Sequence, residues 1–102
     1  MKYKIVRTNN FYNDFYNAFY YIRFKLNNQK AAIKLKNTLI KCLDDLQIVA
    51  SACKSINIKS KIKYRKYYCG NYVIIFSISG ELVVLHHFYY AKSDIKNRLK
   101  EK

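Results

Sequence analysis

Lys61, Lys63 and Arg65 occupy alternate positions upstream of a run that closes on two histidines and three aromatic residues, His86-His87-Phe88-Tyr89-Tyr90. Alternate residues on a β-strand share a face, so the three cations would form a row suited to holding a phosphate backbone. Imidazole, with an unperturbed pKa of about 6.5, is equipped for acid–base work near neutral pH. Alternation predicts that His86, Phe88 and Tyr90 share one face of the last strand, with His87, Tyr89 and Ala91 on the other. The simpler alternatives are a solvated edge for each lysine and a structural role for a strand histidine.

Charge narrows the class of partner. Twenty Lys and Arg against six Asp and Glu leave a net charge of +14 on 102 residues. Such a domain attracts polyanions at long range: nucleic acid, a nucleic-acid machine such as the ribosome, an acidic protein or an anionic membrane. The charge is also uneven. No acid occurs from Leu46 to Gly80, a stretch that carries Lys54, Lys59, Lys61, Lys63, Arg65 and Lys66. Lysine-rich composition from AT-rich coding accounts for part of the total charge but poorly for the missing acids.

Cys42, Cys53 and Cys69 fall in no CxxC spacing, and reduced thiols are the expectation. Cys42 falls on the apolar face of a predicted helix and reads as a small core residue. A zinc site would have to gather ligands from distant elements, so neither a metal nor a cofactor is expected. No apolar run approaches the roughly 20 residues needed to span a bilayer, and the N-terminal residues lack a signal-peptide core, which predicts a cytosolic protein without a membrane partner. The length suits one domain over residues 1–102.

The elements that must position these side chains follow from periodicity. Tyr3, Ile5 and Arg7 alternate as a short first strand, and Thr8, Asn9 and Asn10 supply capping residue types. Phe11, Phe15, Phe19, Ile22 and Leu26 then form one helical face, with Tyr12, Tyr16 and Tyr20 as a neighbouring stripe. The phenylalanines read as packing, with the tyrosine hydroxyls free to reach solvent. After Asn27-Asn28, the residues Ala32, Leu35, Leu39, Cys42, Leu46 and Val49 define a second amphipathic helix. The short connection favours an antiparallel hairpin lying on a sheet. Residues 50–60 read as a loop. Three strands follow, over Lys61 to Cys69, Asn71 to Ser79 and Glu81 to Ala91, with turns at Gly70-Asn71 and Ser79-Gly80. A short helix is predicted from Ser93, with Ser93 as cap, Asp94 at its start, and Lys96, Arg98, Lys100 and Lys102 in its later turns. The fold class is therefore α+β: an N-terminal strand, a helical hairpin on a mostly antiparallel sheet of about four strands, and a C-terminal helix.

Several segments carry a resemblance. Tyr64-Arg65-Lys66, then Gly70-Asn71-Tyr72 with an apolar strand, and Phe88-Tyr89-Tyr90 with Asp94-Ile95 resemble the C-terminal half of the RelE/ParE toxin family. The resemblance implies the toxin of a type II toxin–antitoxin pair, held in check by an antitoxin that is typically acidic and folds on binding. It also implies one of two targets. Some relatives enter the ribosomal A site and cleave mRNA; others poison DNA gyrase without being nucleases.

Metal-free RNA cleavage needs a base for the 2′-hydroxyl, cations for the phosphate and a donor for the leaving oxygen. By resemblance Arg65 matches the recurrent arginine of the YRK element, His87 stands where many relatives carry arginine, and Tyr90 matches the closing position near the groove. These three are the expected catalytic residues, with Lys61, Lys63, Lys66 and Lys92 as nucleic-acid contacts. Two departures count against catalysis: nuclease relatives commonly carry an arginine directly after the tyrosine of the GNY strand, where this chain has Val73, and of their further arginine, histidine or tyrosine near the C-terminus only Tyr90 and Lys92 remain as counterparts. The sequence favours ribosome-associated mRNA cleavage, with a non-enzymatic gyrase inhibitor as the alternative and a plain basic nucleic-acid-binding module or degenerate toxin behind both. Oligomeric state stays open.

Overall fold

The computed structural model describes residues 2–100. Strand β1 (Lys4–Arg7) runs directly into Thr8, which begins helix α1 (Asn9–Tyr20). The Thr8 hydroxyl accepts from the Phe11 N–H at 3.2 Å and donates to the Leu85 carbonyl at 2.8 Å. One side chain thus caps the helix and pins its start to the sheet. Phe11 and Phe15 are buried, and both meet the ring of Phe88 edge-to-face.

α1 continues as a π-helical turn, Tyr21–Lys25. A π turn holds one residue more than an α turn, so the apolar phase slips. Ile22 still packs on the core, but Leu26, expected on the buried face, is exposed. Asn27 takes a left-handed conformation at φ 48°, and the Asn28 side chain accepts from the Ala31 N–H at 3.0 Å to start α2 (Gln29–Val49). Ala32, Leu35, Leu39, Cys42, Leu43 and Leu46 form the buried face of α2. Val49, expected on that face, is exposed; Ala50, in the following 3₁₀ turn Ala50–Ala52, is buried in its place.

β2 (Arg65–Cys69), β3 (Tyr72–Ser79) and β4 (Leu82–Tyr90) complete a sheet in the order β1-β4-β3-β2. β1 lies parallel to β4, and the other pairings are antiparallel. The first hairpin turns at Gly70-Asn71 as expected, whereas the second turns at Gly80-Glu81, one residue later than predicted. Both glycines adopt positive φ, 61° and 59°, which a side chain would disfavour.

The register of β3 against β4 shifts once. Ile75 pairs with His87 but Phe76 pairs with Leu85, which leaves His86 as the extra residue of a β-bulge. The bulge keeps Val83, Leu85 and Phe88 all in the helix-side core with Phe76, despite the odd spacing between Leu85 and Phe88. It also overturns the strict alternation predicted for the two histidines. His86 meets Tyr64, His87 stacks on Tyr89, and both tyrosines belong to the cluster on the opposite face.

That second cluster joins Val73, Ile75, Tyr89 and Leu99, with Ile56, Ile58, Tyr64 and Ile95 packed against it. The link after the 3₁₀ turn folds back along β2: the Ile56 N–H donates to the Tyr64 carbonyl at 2.8 Å and the Lys66 N–H to the Lys54 carbonyl at 3.2 Å. β2 therefore starts at Arg65, and Lys61 and Lys63 lie in the link instead of on the strand predicted from Lys61. Burial of Tyr64, Ile56 and Ile58 outweighs continuation of the pairing. Helix α3 (Ile95–Lys100) closes the same face, with the Arg98 guanidinium 4.0 Å from the Tyr89 ring centre. Asp94, not Ser93, accepts the Asn97 N–H (3.4 Å) at the start of α3, while the Ser93 hydroxyl accepts from Arg98. Lys102, expected in its later turns, lies outside the described residues.

Phe76 is fully buried between the hairpin and the sheet. Phe76→Ala is expected to lower stability by about 3–5 kcal/mol, read from the midpoint of urea unfolding.

Candidate functional site

Arg65, the first residue of β2, pairs with Phe76 and so sits on the helix side of the sheet. Its Nη1 donates to the carbonyls of Ser51 at 3.2 Å and Cys53 at 2.8 Å. The guanidinium is a clamp between the edge strand and the carbonyl-rich end of α2, where a cation is favoured. It also partly offsets the burial that pushes the Cys53 thiol upward.

The lysines predicted to contact nucleic acid are scattered. Lys61 and Lys63 are exposed in the link, and Lys92 is exposed in the turn after β4. Lys66 stays on β2, pairs with Ile75 and holds its ammonium 5.7 Å from the Tyr68 ring centre. The expected single row Lys61, Lys63, Arg65 does not form, because only Arg65 belongs to a strand.

His87 is 3% exposed. Its Nδ1 lies 3.2 Å from the Asp14 carboxylate, which also accepts the Phe88 N–H at 3.1 Å. β1 reaches only Leu85 on that edge of β4, so the carboxylate of α1 takes over where the strand partner ends. His86 is the more accessible imidazole, with Nε2 at 2.8 Å from the Ser77 hydroxyl. Tyr90 is 46% exposed at the end of β4, edge-on to Tyr72.

Arg65, His87 and Tyr90 are not gathered. Arg65 stands level with Leu85, and Tyr90 level with Cys69, four ladder positions and two strands away. At about 3.4 Å per residue and 4.8 Å per strand, their backbones are roughly 17 Å apart. His87 pairs with Ile75 and projects to the other face. Val73, at the position of the nuclease arginine, is 0% exposed beneath the second cluster.

Cys42 and Cys69 are buried and Cys53 is half-buried. Burial pushes Cys69 far above the ordinary thiol range, and its contact with Cys42 pushes it further. Tyr67 donates to Asp45 at 3.2 Å, and burial followed by that carboxylate pushes its phenol up to about 12. Among the described residues, no three His, Cys, Asp or Glu side chains cluster to hold a metal. No described helix is long and apolar enough to cross a membrane.

One surface was legible in the sequence only as a stripe beside the core. Tyr12, Tyr16, Tyr20 and Phe24 stack successively along α1 and its π turn, with ring centres 6.2, 5.8 and 5.9 Å apart. Tyr16 is 45% and Phe24 66% exposed. Beside Tyr12 and Tyr16, a groove between the helices is lined by Arg7, Lys36 and the exposed Ile40. The four-residue tyrosine spacing was the available signal. An exposed aromatic surface of this extent, rimmed by cations, has the composition of a protein contact.

A helical hairpin packs on one face of a four-stranded mixed sheet and a short C-terminal helix on the other, an α+β fold. The family model described as "ParE toxin of type II toxin-antitoxin system, parDE" matches residues 5–95. The chain belongs to this family. A solved structure described as "Chromosomal ParDE TA system from P. aeruginosa" superposes with a TM-score of 0.70 at 15% identity, over 89% of this chain and 98% of that one. No curated protein sequence matches the chain.

Asp14 serves two partners from one carboxylate. Asp14→Ala leaves the Phe88 amide and the His87 ring without it and is expected to cost about 2 kcal/mol in urea unfolding. Wild-type stability in that variant would remove Asp14 from this role.

Proposed function

We propose that this ParE-family toxin arrests growth by binding its target and not by cleaving RNA, and that the target is DNA gyrase. The observation that carries this reading is the covered sheet face. Val73 and Ile75 lie beneath Ile56, Ile58, α3 and Tyr64, where a strand of RNA would need open access. Dispersal of Arg65, His87 and Tyr90 supports the same reading, because acid–base and phosphate-stabilising groups must converge on one scissile bond. Membership of the family also favours gyrase over the ribosome.

Messenger RNA cleavage at the ribosome is the second reading. It draws on the exposed Lys61, Lys63 and Lys92 and on the exposed phenol of Tyr90, all free to approach a phosphate backbone. Arg65 and Lys66 would then contribute from the edge strand, and His87 only after the second cluster opens.

The partner that restrains the toxin is an antitoxin. A net charge of +14 suits an acidic one, with the stacked rings of Tyr12, Tyr16, Tyr20 and Phe24 and the cationic groove beside them as its contact surface. The double substitution Tyr16→Ala with Tyr20→Ala is expected to weaken antitoxin binding roughly 10- to 100-fold in calorimetric titration. Unchanged affinity would move the contact elsewhere.

Induced expression without antitoxin, with pulse labelling of DNA and protein synthesis in one culture, tests the target. DNA synthesis is expected to fall first, together with a DNA-damage response. Early collapse of translation would favour the ribosome, and continued growth at full soluble expression would mean a degenerate toxin.

A further inference from the structure

A cleft of about 320 Å³ opens at the end of the helix–sheet sandwich, between the start of α2, the β2–β3 turn and the end of β4. It is separate from the α1 aromatic stripe and from the covered sheet face. Its polar groups come from four elements: Lys34 and Thr38 on α2, Asn71 in the turn, Tyr72 on β3 and Tyr90 on β4. Lys34 is the single charged residue among the described lining, and no carboxylate is present there. Ammonium, hydroxyl, amide and phenol groups can all donate hydrogen bonds, so the cleft is built to receive an anion.

The remaining wall is apolar. Ile22, Ala31 and Leu35 form a floor with no polar side-chain atom. Tyr72 is fixed by stacking on Phe88, with ring centres 4.8 Å apart at 11°, and Tyr90 stands edge-on to it at 5.8 Å. Burial, and secondarily the neighbouring Tyr90, holds the Tyr72 phenol above its ordinary range. The exposed ring of Tyr90 beside an apolar floor suits stacking by a planar group. The volume lies at the small end of the roughly 300–1,000 Å³ of ligand clefts, a size for one nucleotide and not for a strand.

We infer that this cleft binds a phosphate monoester carried on a planar base, with Lys34 neutralising the phosphate and Tyr72 and Tyr90 flanking the base. The ligand has two possible sources, a free mononucleotide or the phosphorylated end of a nucleic-acid strand. The inference does not rest on the gyrase reading; it shares Tyr90 with the ribosome reading and is read by binding alone.

The test is NMR titration of the full chain with adenosine 5′-monophosphate, adenosine and inorganic phosphate, repeated on Lys34→Ala, Tyr90→Phe and, as a charge-matched control, Lys41→Ala, an exposed lysine of α2 outside the cleft. The nucleotide is expected to shift the amides of Lys34, Thr38 and Gly70 to Tyr72, more strongly than adenosine or phosphate alone. Lys34→Ala should weaken binding about tenfold, Tyr90→Phe by a smaller factor, and Lys41→Ala by less than twofold. Short oligonucleotides with a 5′-phosphate or a 5′-hydroxyl then separate the sources. Competition at the same amides by the phosphorylated end alone identifies a strand terminus, and no competition identifies the free nucleotide. Equal losses in Lys34→Ala and Lys41→Ala, shifts confined to other surfaces, or no shift at millimolar nucleotide would each overturn the inference.

Discussion

The fold depends on how β4 is satisfied along one edge by two different neighbours. From Leu82 to Leu85 that edge is paired by β1, and beyond it the Phe88 amide turns to the carboxylate of Asp14 on α1. Thr8 sits at the change-over, donating to Leu85 while capping the helix that delivers Asp14. Orphaned amides in the middle of a sheet are costly, so strand end, helix start and bulge are mutually constrained. The bulge at His86 then resets the alternation so that Phe88 can meet Phe11 and Phe15 on the helix side.

The same reset decides what the other face presents. With Tyr89 and His87 turned toward Val73 and Ile75, that face is apolar and must be covered. The link bearing Ile56 and Ile58 supplies one part of the cover, and α3, with Leu99 and Arg98, supplies the other. The protein uses its second sheet face for packing. Its accessible chemistry lies on the rims instead: stacked tyrosines on α1, cations in the link, and a donor-rich cleft at the open end of the sandwich.

Much of this was legible in the residues. The phenylalanine spacing of α1, the apolar face of α2, the Gly70-Asn71 turn and the strand, hairpin, strands, helix order all follow from local periodicity, and the resemblance in Tyr64 to Tyr72 and Phe88 to Ile95 gave the family. What was not legible depends on contacts distant in sequence. Lys61 and Lys63 alternate as a strand would, but Ile56, Ile58 and Tyr64 bury together and pull the chain off the ladder. His86 and His87 alternate on an ideal strand, and only the pairing with Ile75 and Phe76 reveals the extra residue. Arg65 matched a family motif, yet its guanidinium is taken by the carbonyls of Ser51 and Cys53, which no spacing connects to it.

The central claim, a toxin that binds gyrase instead of cutting RNA, is tested most directly by adding the purified protein to gyrase supercoiling and, in parallel, to a translating ribosome extract. The account predicts loss of supercoiling at stoichiometric toxin, restored by antitoxin, with ribosome-bound mRNA intact. Unimpaired supercoiling together with mRNA cut in the ribosomal A site would contradict it.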